Sequence, residues 1–193
     1  FWCLQSVSSI RNEHEEITHF VSVMEDIGSR KHAESTIRRL AYYDSLTGLP
    51  NRRLFMDRLG HSLAAARRTG GLLALLYLDI DRLKNVNDSL GHAVGDSLIR
   101  AVGERVSGLV RPEDTVARLE GDEFAVVVGP VKDTHEAAHI VETLSKAMRR
   151  PFVVRGHELF ATCSIGVALH PQDGADADPL NRSADIALHQ AKA

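Results

Sequence analysis

The side chains best suited to chemistry lie in a short acidic turn between two apolar runs. Asp122 and Glu123 follow Gly121 directly, and the residues after them read FAVVV. Adjacent carboxylates in a tight hairpin repel each other unless a cation lies between them. The sequence therefore predicts a β-hairpin that presents a divalent metal site at its tip.

A second acidic pair, Asp79 and Asp81, ends the apolar run LLALLYL. Side chains alternate along a strand, so both carboxylates point the same way until the strand ends. A carboxylate after so apolar a strand is costly without a cation or hydrogen-bond partners, which favours a metal role for Asp79. Asp81 precedes a short helical segment and is explained as well by a helix cap or a turn.

Four strings in the chain together resemble the signature of the GGDEF family, the bacterial diguanylate cyclase domains. They are DSLTGLPNRR at residues 44–53, LDIDRLKNVNDSLGHAVGDSL at 78–98, RPEDTVARLEGDEF at 111–124 and ADIALHQAK at 184–192. The chain departs from the family at Leu83, usually Phe, at Glu120, usually Gly, and at His189, usually Tyr. Agreement over so many specified positions disfavours a different palm-fold nucleotidyltransferase.

The resemblance implies an α+β fold, a palm-like sandwich in which helices surround a central, mostly antiparallel sheet. The implied site for Mg²⁺ (or Mn²⁺) consists of Asp79, the carbonyl of Ile80, Asp122 and Glu123. Glu123 would also assist proton removal, and Lys84 would be a further catalytic residue near the phosphates. The implied substrate-binding residues are Asn87 and Asp96 at the guanine edge, His92, and Lys192 at the phosphates. For His92, a structural hydrogen bond before a helix is an equal alternative.

The reaction implied by the resemblance joins two GTP molecules into cyclic di-GMP. The 3′-hydroxyl of one GTP attacks the α-phosphate of the other and releases pyrophosphate, and a second such step closes the ring. Each domain would hold one GTP, so the reaction needs a homodimer. Arg111 and Asp114 form an RxxD motif five residues before the turn, and in the family such a motif binds cyclic di-GMP and inhibits. An exposed ion pair of little energetic weight is the alternative.

Glu120 bears on how active such an enzyme would be. Glycine at this position lets the backbone approach the nucleotide and adopts positive φ freely, whereas glutamate adds a side chain, a charge and about 1 kcal/mol of strain at positive φ. We therefore expect a weak or conditional diguanylate cyclase. The alternative is a catalytically inactive module that binds GTP or cyclic di-GMP and controls a neighbouring EAL phosphodiesterase domain.

The chain is predicted to have three parts. Residues 1–28 read as two alternating β runs joined by a polar turn, and they resemble the last two strands of a PAS sensor domain. An edge hairpin of the main domain is the alternative. Residues 29–43 predict a linker helix with a narrow apolar stripe, either solvated or part of a coiled-coil-like connector. Residues 44–193 would form the GGDEF domain, with its C-terminal tail truncated.

Within the main domain, the apolar pattern predicts strands and helices in alternation. The predicted helices cover residues 52–68, a short piece after residue 80, 93–109, 134–149 and 183–193, and the predicted strands cover 72–80, the acidic hairpin and a second hairpin at 152–169. The runs LLALLYLDI and FAVVV are continuously apolar, so we expect these strands to be covered on both faces.

Composition excludes several classes of protein. The 193 residues carry 23 Lys and Arg against 26 Asp and Glu, a net charge of −3, which gives no basic surface for nucleic acid. Only Cys3 and Cys163 occur, without a C-x-x-C pair, which argues against a zinc site or disulfide framework and fits a reducing cytosol. No apolar run has the length of a membrane span. We expect this segment to be cytoplasmic, although the full-length protein could be tethered to a membrane.

Overall fold

The computed structural model describes residues 2–193, so Phe1 of the predicted N-terminal hairpin lies outside the described residues. The chain divides into two compact units, one that ends at Ala41 and one that comprises residues 42–193. The predicted division at residues 28 and 43 stays a prediction. No helix within residues 2–193 combines the length and apolar character needed to cross a membrane.

The first unit contains the predicted hairpin and the start of the linker helix. Strands β1 (Cys3–Arg11) and β2 (Ile17–Asp26) pair antiparallel as a sheet of their own. Helix α1 (Gly28–Tyr42) follows, and the Asp26 carboxylate accepts a hydrogen bond from the Gly28 amide at 2.8 Å. Large apolar side chains on both strands are exposed, among them Phe20 and Met24, each 70% exposed.

The second unit is an α+β sandwich, as the sequence predicts. The strands of its sheet are β3 (Leu72–Ile80), β4 (Thr115–Glu120), β5 (Glu123–Val131) and β8 (Cys163–His170). They lie in the order β4–β5–β3–β8, and every pair of neighbouring strands is antiparallel. The helices are α2 (Arg52–Thr69), α3 (Leu83–Leu90), α4 (His92–Ser107), α5 (Thr134–Met148) and α6 (Ala177–Ala191).

Strand β3 lies at the centre of this sandwich and separates two apolar clusters. Its alternate residues Leu76 and Leu78 belong to the cluster that includes α4 and α5, while Leu75 and Tyr77 belong to the one that includes α2 and α6. Both faces of β3 are therefore covered, which confirms the prediction from its continuous apolar run. Asp79, two residues after Tyr77, therefore lies on the face of β3 that α2 and α6 cover.

The prediction of one hairpin over residues 152–169 is wrong. Strands β6 (Phe152–Val154) and β7 (His157–Leu159) form a short hairpin whose turn residues Arg155 and Gly156 both have positive φ, 49° and 81°. Strand β8 leaves this hairpin and pairs with β3 instead. The hairpin buries Phe152 and Val154 in the apolar cluster that includes α4 and α5, and β8 gains the edge of the central sheet.

The closing helix also begins earlier than predicted. Helix α6 starts at Ala177, six residues before the predicted start at Ser183, and it contains Pro179 in its first turn. Proline is tolerated there because the amides of the first turn have no partner within the helix. The extra turn brings Leu180, which is fully buried, into the core.

Candidate functional site

The acidic residues predicted from two distant strings meet at one end of the central sheet. Asp79, near the end of β3, lies opposite Glu123, the first residue of β5. The Ile80 amide donates to the carbonyl of Asp122 at 3.3 Å, which fixes the acidic turn against the end of β3. The strand register therefore assembles three carboxylates and the main chain of Ile80 in one place.

Asp79 has a cation beside it within the chain. Its carboxylate is buried, and the Lys192 ammonium lies 2.6 Å from Asp79 Oδ2. Burial raises the pKa of Asp79 above its ordinary value; the hydrogen bond from Lys192 opposes that shift and the nearby charge of Asp122 adds to it. The sequence predicted a cation or hydrogen-bond partners for Asp79, and within the chain Lys192, the residue after α6, supplies the ammonium; the metal role stays a prediction.

Glu123 shares this environment. Burial raises its pKa, the Arg52 guanidinium opposes the shift, and the charge of Asp79 adds to it. Arg52 Nη2 lies 3.9 Å from Glu123 Oε2. Sequence reasoning missed Arg52, although it lies inside the string NRR that marks the start of α2. The only signal was its residue type, because its distance from the acidic turn depends on how α2 packs.

The donor atoms at this end of the sheet suit a hard cation. Carboxylate and carbonyl oxygens are the ligands of Mg²⁺ in proteins. Within residues 2–193, no three His, Cys, Asp or Glu side chains stand in the arrangement of a metal centre. Asp79 and Glu123 instead have Lys192 and Arg52 as counterions, and burial raises the pKa of both carboxylates against the effect of these cations.

Asp81 has a structural role that the sequence left open. Its carboxylate accepts hydrogen bonds from Thr162 Oγ1 at 2.5 Å and Ser164 Oγ at 2.7 Å. Its amide donates to the Thr162 carbonyl at 2.9 Å. Asp81 thus fastens the end of β3 to the start of β8, and it does not cap α3, whose N-cap residue is Arg82.

A cavity of about 930 Å³ opens beside Asp79 and Lys192. Its lining also includes Asp81 and two cations that sequence reasoning did not select, Arg82 and Arg149. Arg82 has φ of 57°, an uncommon value for a residue with a side chain, and it turns the chain from β3 into α3. The cavity therefore combines a buried carboxylate with three cationic side chains, a mixture suited to a metal-bound polyphosphate.

The residues predicted to read guanine lie on α3 and α4, outside the lining of this cavity. Asn87 on α3 is half-buried and Asp96 on α4 is exposed. Between them lies Gly95, where an added Cβ would stand 1.9 Å from Asn87 Oδ1. Gly95 thus admits the Asn87 amide against the α4 backbone. Sequence reasoning missed it, and the signal was its place between His92 and Asp96 in the string GHAVGD.

The remaining predicted nucleotide residues are exposed. Lys84 lies in the first turn of α3, and His92 is the first residue of α4. Both are therefore open to a ligand from solvent. Neither residue is among those that line the cavity beside Asp79.

The expectation of backbone strain at Glu120 is wrong. Positive φ occurs at the next residue, Gly121, with 51°, and Glu120 does not have it. Glu120 ends β4, pairs with Glu123 and exposes its side chain. Its effect on a nucleotide must come from its side chain and charge.

Arg118 links the acidic turn to Asp44 through hydrogen bonds of its guanidinium. Its Nε and Nη2 donate to the Gly121 carbonyl at 3.0 and 2.7 Å, and its Nη1 donates to both oxygens of Asp44 at 3.0 and 3.1 Å. Asp44 also accepts from the Thr47 amide and hydroxyl at 2.8 and 2.7 Å. The string DSLTG is therefore tied to the acidic turn through one guanidinium.

The RxxD motif forms a closed turn. Asp114 accepts hydrogen bonds from the amides of Arg111 at 2.9 Å and Gly129 at 3.3 Å. The Arg111 guanidinium pairs with Glu136 on α5 at 2.6 Å. The ion pair anticipated as the alternative exists, but its acidic partner is Glu136 and not Asp114.

Comparison with known proteins places this geometry in a family. The family model described as "Diguanylate cyclase, GGDEF domain" matches residues 41–193. The crystal structure of the GGDEF domain of TpbB (YfiN) from Pseudomonas aeruginosa is 38% identical, has a TM-score of 0.74, and the match covers 76% of this chain and 91% of that one.

Two curated relatives from Pseudomonas aeruginosa are longer proteins. NbdA, named a cyclic di-GMP phosphodiesterase, is 43% identical over 162 residues, which is 84% of this chain and 21% of NbdA. MucR, named a bifunctional diguanylate cyclase and cyclic di-GMP phosphodiesterase, is 41% identical over 160 residues, which is 83% of this chain and 23% of MucR. The chain spans less than a quarter of either relative. From the family match, the shared fold and the acidic turn together, this chain belongs to the GGDEF domain family of cyclic di-GMP signalling proteins.

Proposed function

We propose that the unit formed by residues 42–193 is a diguanylate cyclase domain of weak or conditional activity that condenses two GTP molecules into cyclic di-GMP. The observation that supports this most is the meeting of Asp79, Asp122 and Glu123 at one end of the sheet, beside a cavity that also contains Lys192. GGDEF domains bind GTP and cyclic di-GMP and act as dimers.

Mg²⁺ (or Mn²⁺) would be held by the carboxylates of Asp79, Asp122 and Glu123 and by the carbonyl of Ile80. When bound, the metal would neutralise the triphosphate and favour ionisation of the attacking hydroxyl. Lys192 would then leave Asp79 for the phosphates, with Lys84 as a second phosphate contact. Asp79 and Lys192 would each keep a partner of opposite charge in this exchange, because the metal would replace Lys192 at Asp79 and the phosphates would replace Asp79 at Lys192.

Other side chains of the domain would recognise guanine and remove the proton. The amide of Asn87 and the carboxylate of Asp96 would donate to and accept from the guanine edge, and His92 would line that site. Glu123, whose pKa is raised by burial, would assist removal of the proton from the attacking 3′-hydroxyl. Since each domain offers one such set, two domains must face each other before the hydroxyl of one GTP reaches the α-phosphate of the other.

The RxxD motif would bind the product. Arg111 would pair with a phosphate of cyclic di-GMP, since a guanidinium forms strong charge-assisted hydrogen bonds with phosphate oxygens. Asp114 would shape the turn that presents Arg111, because its carboxylate already accepts two main-chain amides. Bound product at this site would inhibit the cyclase.

Two observations favour a second candidate function, regulation without catalysis. Glu120 places a negative side chain at the turn that would contact a triphosphate, and a 43% identical relative is named a phosphodiesterase. The domain would then bind GTP or cyclic di-GMP without catalysis and regulate an adjacent EAL domain.

The exposed apolar side chains of β1 and β2 support the further proposal that this hairpin completes a PAS-like sheet in a longer chain. Hydrogen exchange at β1 and β2 that is equally fast in the full-length protein and in this chain would contradict that proposal.

The two functions are separated by incubating the full-length protein with Mg²⁺ and GTP and measuring cyclic di-GMP by chromatography. A cyclase forms product at a specific rate that rises with protein concentration, since dimers are required, and the Asp79→Asn variant forms none. A regulatory module binds a non-hydrolysable GTP analogue and forms no product at any protein concentration. The latter result would exclude the proposed activity.

A further inference from the structure

Arg111, the cation of the RxxD motif, already has an anionic partner. Its Nη2 lies 2.6 Å from Oε1 of Glu136, whose side chain is only 20% exposed. The pKa of Glu136 is lowered first by its hydrogen bond with the Lys132 amide and then by the one with Arg111. An anionic ligand that approaches Arg111 therefore meets a guanidinium whose charge is already compensated.

Glu136 is held in place by the start of α5. Its Oε2 accepts a hydrogen bond from the Lys132 amide at 2.7 Å, and its own amide donates to Asp133 Oδ1 at 2.9 Å. The second bond is the N-cap hydrogen bond of Asp133, and the first ties the Glu136 carboxylate to the residue before the N-cap, at a helix N-terminus whose dipole also favours a negative charge. Most surface ion pairs are weak because two long side chains must be ordered. Here the hydrogen bond from the Lys132 amide has already ordered the side chain of Glu136.

The other acidic groups at this turn offer no replacement for a displaced Glu136. Asp114 directs its two oxygens to the amides of Arg111 and Gly129. Glu113 is exposed, and its charge raises the pKa of Arg111 less than Glu136 does. Glu136 is thus the main electrostatic competitor of a ligand phosphate at this guanidinium.

We propose that Glu136 gates the product site: its carboxylate occupies Arg111, and cyclic di-GMP binds only by displacing it. This inference rests on the proposed product-binding role of the RxxD motif. The gate sets the ligand concentration at which the motif responds, because each binding event must break the Arg111–Glu136 pair. Neutralising Glu136 should therefore tighten binding of a dianionic cyclic dinucleotide at this motif and leave other sites unchanged.

The test is calorimetric titration of this chain with cyclic di-GMP, in wild type and in Glu136→Gln. The glutamine side-chain oxygen can still accept the Lys132 amide, and the N-cap bond of Asp133 is unchanged, so the start of α5 is kept. We expect Glu136→Gln to bind roughly three- to tenfold more tightly, the scale of a charge-assisted contact that no longer competes. The matched control is Glu142→Gln, which removes the same charge from the same helix, where Glu142 pairs with Lys146 at 2.7 Å. It should leave the affinity unchanged.

The Arg111→Ala variant separates failure of the gate from failure of the site. If Arg111→Ala weakens binding but leaves it measurable, and Glu136→Gln gives no gain in that background, the gain comes through Arg111, as proposed. Equal affinity of wild type and Glu136→Gln, with binding that still needs Arg111, would overturn the gate and leave the product site standing. No binding by either protein at high micromolar ligand would overturn the product site and the gate with it. A gain of the same size in Glu142→Gln would reduce the effect to net charge and also overturn the gate.

Discussion

A single buried carboxylate shows what residue type and position can predict. The cost of Asp79 at the end of an apolar strand predicts a cation or hydrogen-bond partners beside it, and an ammonium lies there. That this ammonium belongs to Lys192 could not be inferred from the sequence, because the two residues are far apart in the chain and the resemblance places Lys192 at the phosphates. In the same way, the NRR string gave no sign that Arg52 would lie 3.9 Å from Glu123. Spacing along the chain predicts local neighbours, whereas packing decides the distant ones.

Gly95 provides a prediction at this scale. In Gly95→Ala the new methyl group would overlap Asn87 Oδ1, so the Asn87 amide must move away from the proposed guanine site. We expect binding of a non-hydrolysable GTP analogue, measured by calorimetry, to weaken at least about tenfold, since an amide that reads a base edge must be placed closely.

The control for this variant is Gly60→Ala on α2, where an added Cβ meets nothing within 4 Å. It should bind like the wild type and gain up to about 1 kcal/mol in free energy of unfolding, because alanine favours a helix over glycine. Wild-type nucleotide affinity in Gly95→Ala would show that Asn87 does not contact the base.

Glu120 provides a second residue-scale prediction. Because its φ is not positive, relief of backbone strain cannot explain any gain on substitution, and only its side chain and charge remain. We expect Glu120→Gly in the full-length protein to raise the rate of cyclic di-GMP formation several-fold, and Glu120→Gln to give most of that gain by removing the charge. Initial rates at saturating GTP measure both. If the glycine variant gains and the glutamine variant does not, the bulk of the side chain is the obstacle.

At the scale of elements, the local pattern of apolar residues predicted where strands and helices lie better than it predicted which strands pair. The apolar runs predicted β3 and β5 and their burial on both faces. The stretch 152–169 contained the three strands β6, β7 and β8, but its half-buried alternation could not show that β8 pairs with β3. Choice of partner depends on which sheet edge offers more apolar cover, a property of the folded chain.

Arg118 joins two elements and allows an element-scale prediction. Its side chain is only 12% exposed, and it binds the Gly121 carbonyl and Asp44 at once. Lysine cannot bind the Gly121 carbonyl and both Asp44 oxygens at once as the planar guanidinium does. Arg118→Lys should therefore lower the free energy of unfolding by about 2 kcal/mol, less than the loss of a fully buried ion pair because this pair is only partly buried. Urea denaturation measures it.

Two further variants check the cause of that loss. Combined with Asp44→Asn, Arg118→Lys should cost less than the sum of the two single changes, because both remove the same contact. Glu142→Gln, which breaks a fully exposed pair on α5, should leave the urea midpoint unchanged. Full additivity of the Arg118 and Asp44 variants would show that the two side chains stabilise the fold independently.

At the scale of the whole molecule, the central claim is that one end of the sheet is a metal-dependent GTP site. The most direct measurement is calorimetric titration of this chain with a non-hydrolysable GTP analogue, with and without Mg²⁺, in wild type and in Asp79→Asn. In the wild type, Mg²⁺ should strengthen binding strongly, because the metal replaces Lys192 at Asp79 and releases that ammonium to the phosphates. In Asp79→Asn the dependence on Mg²⁺ should disappear, while Lys192 stays free to contact phosphate. Equal Mg²⁺ dependence in both proteins would contradict the account and remove Asp79 from the metal site.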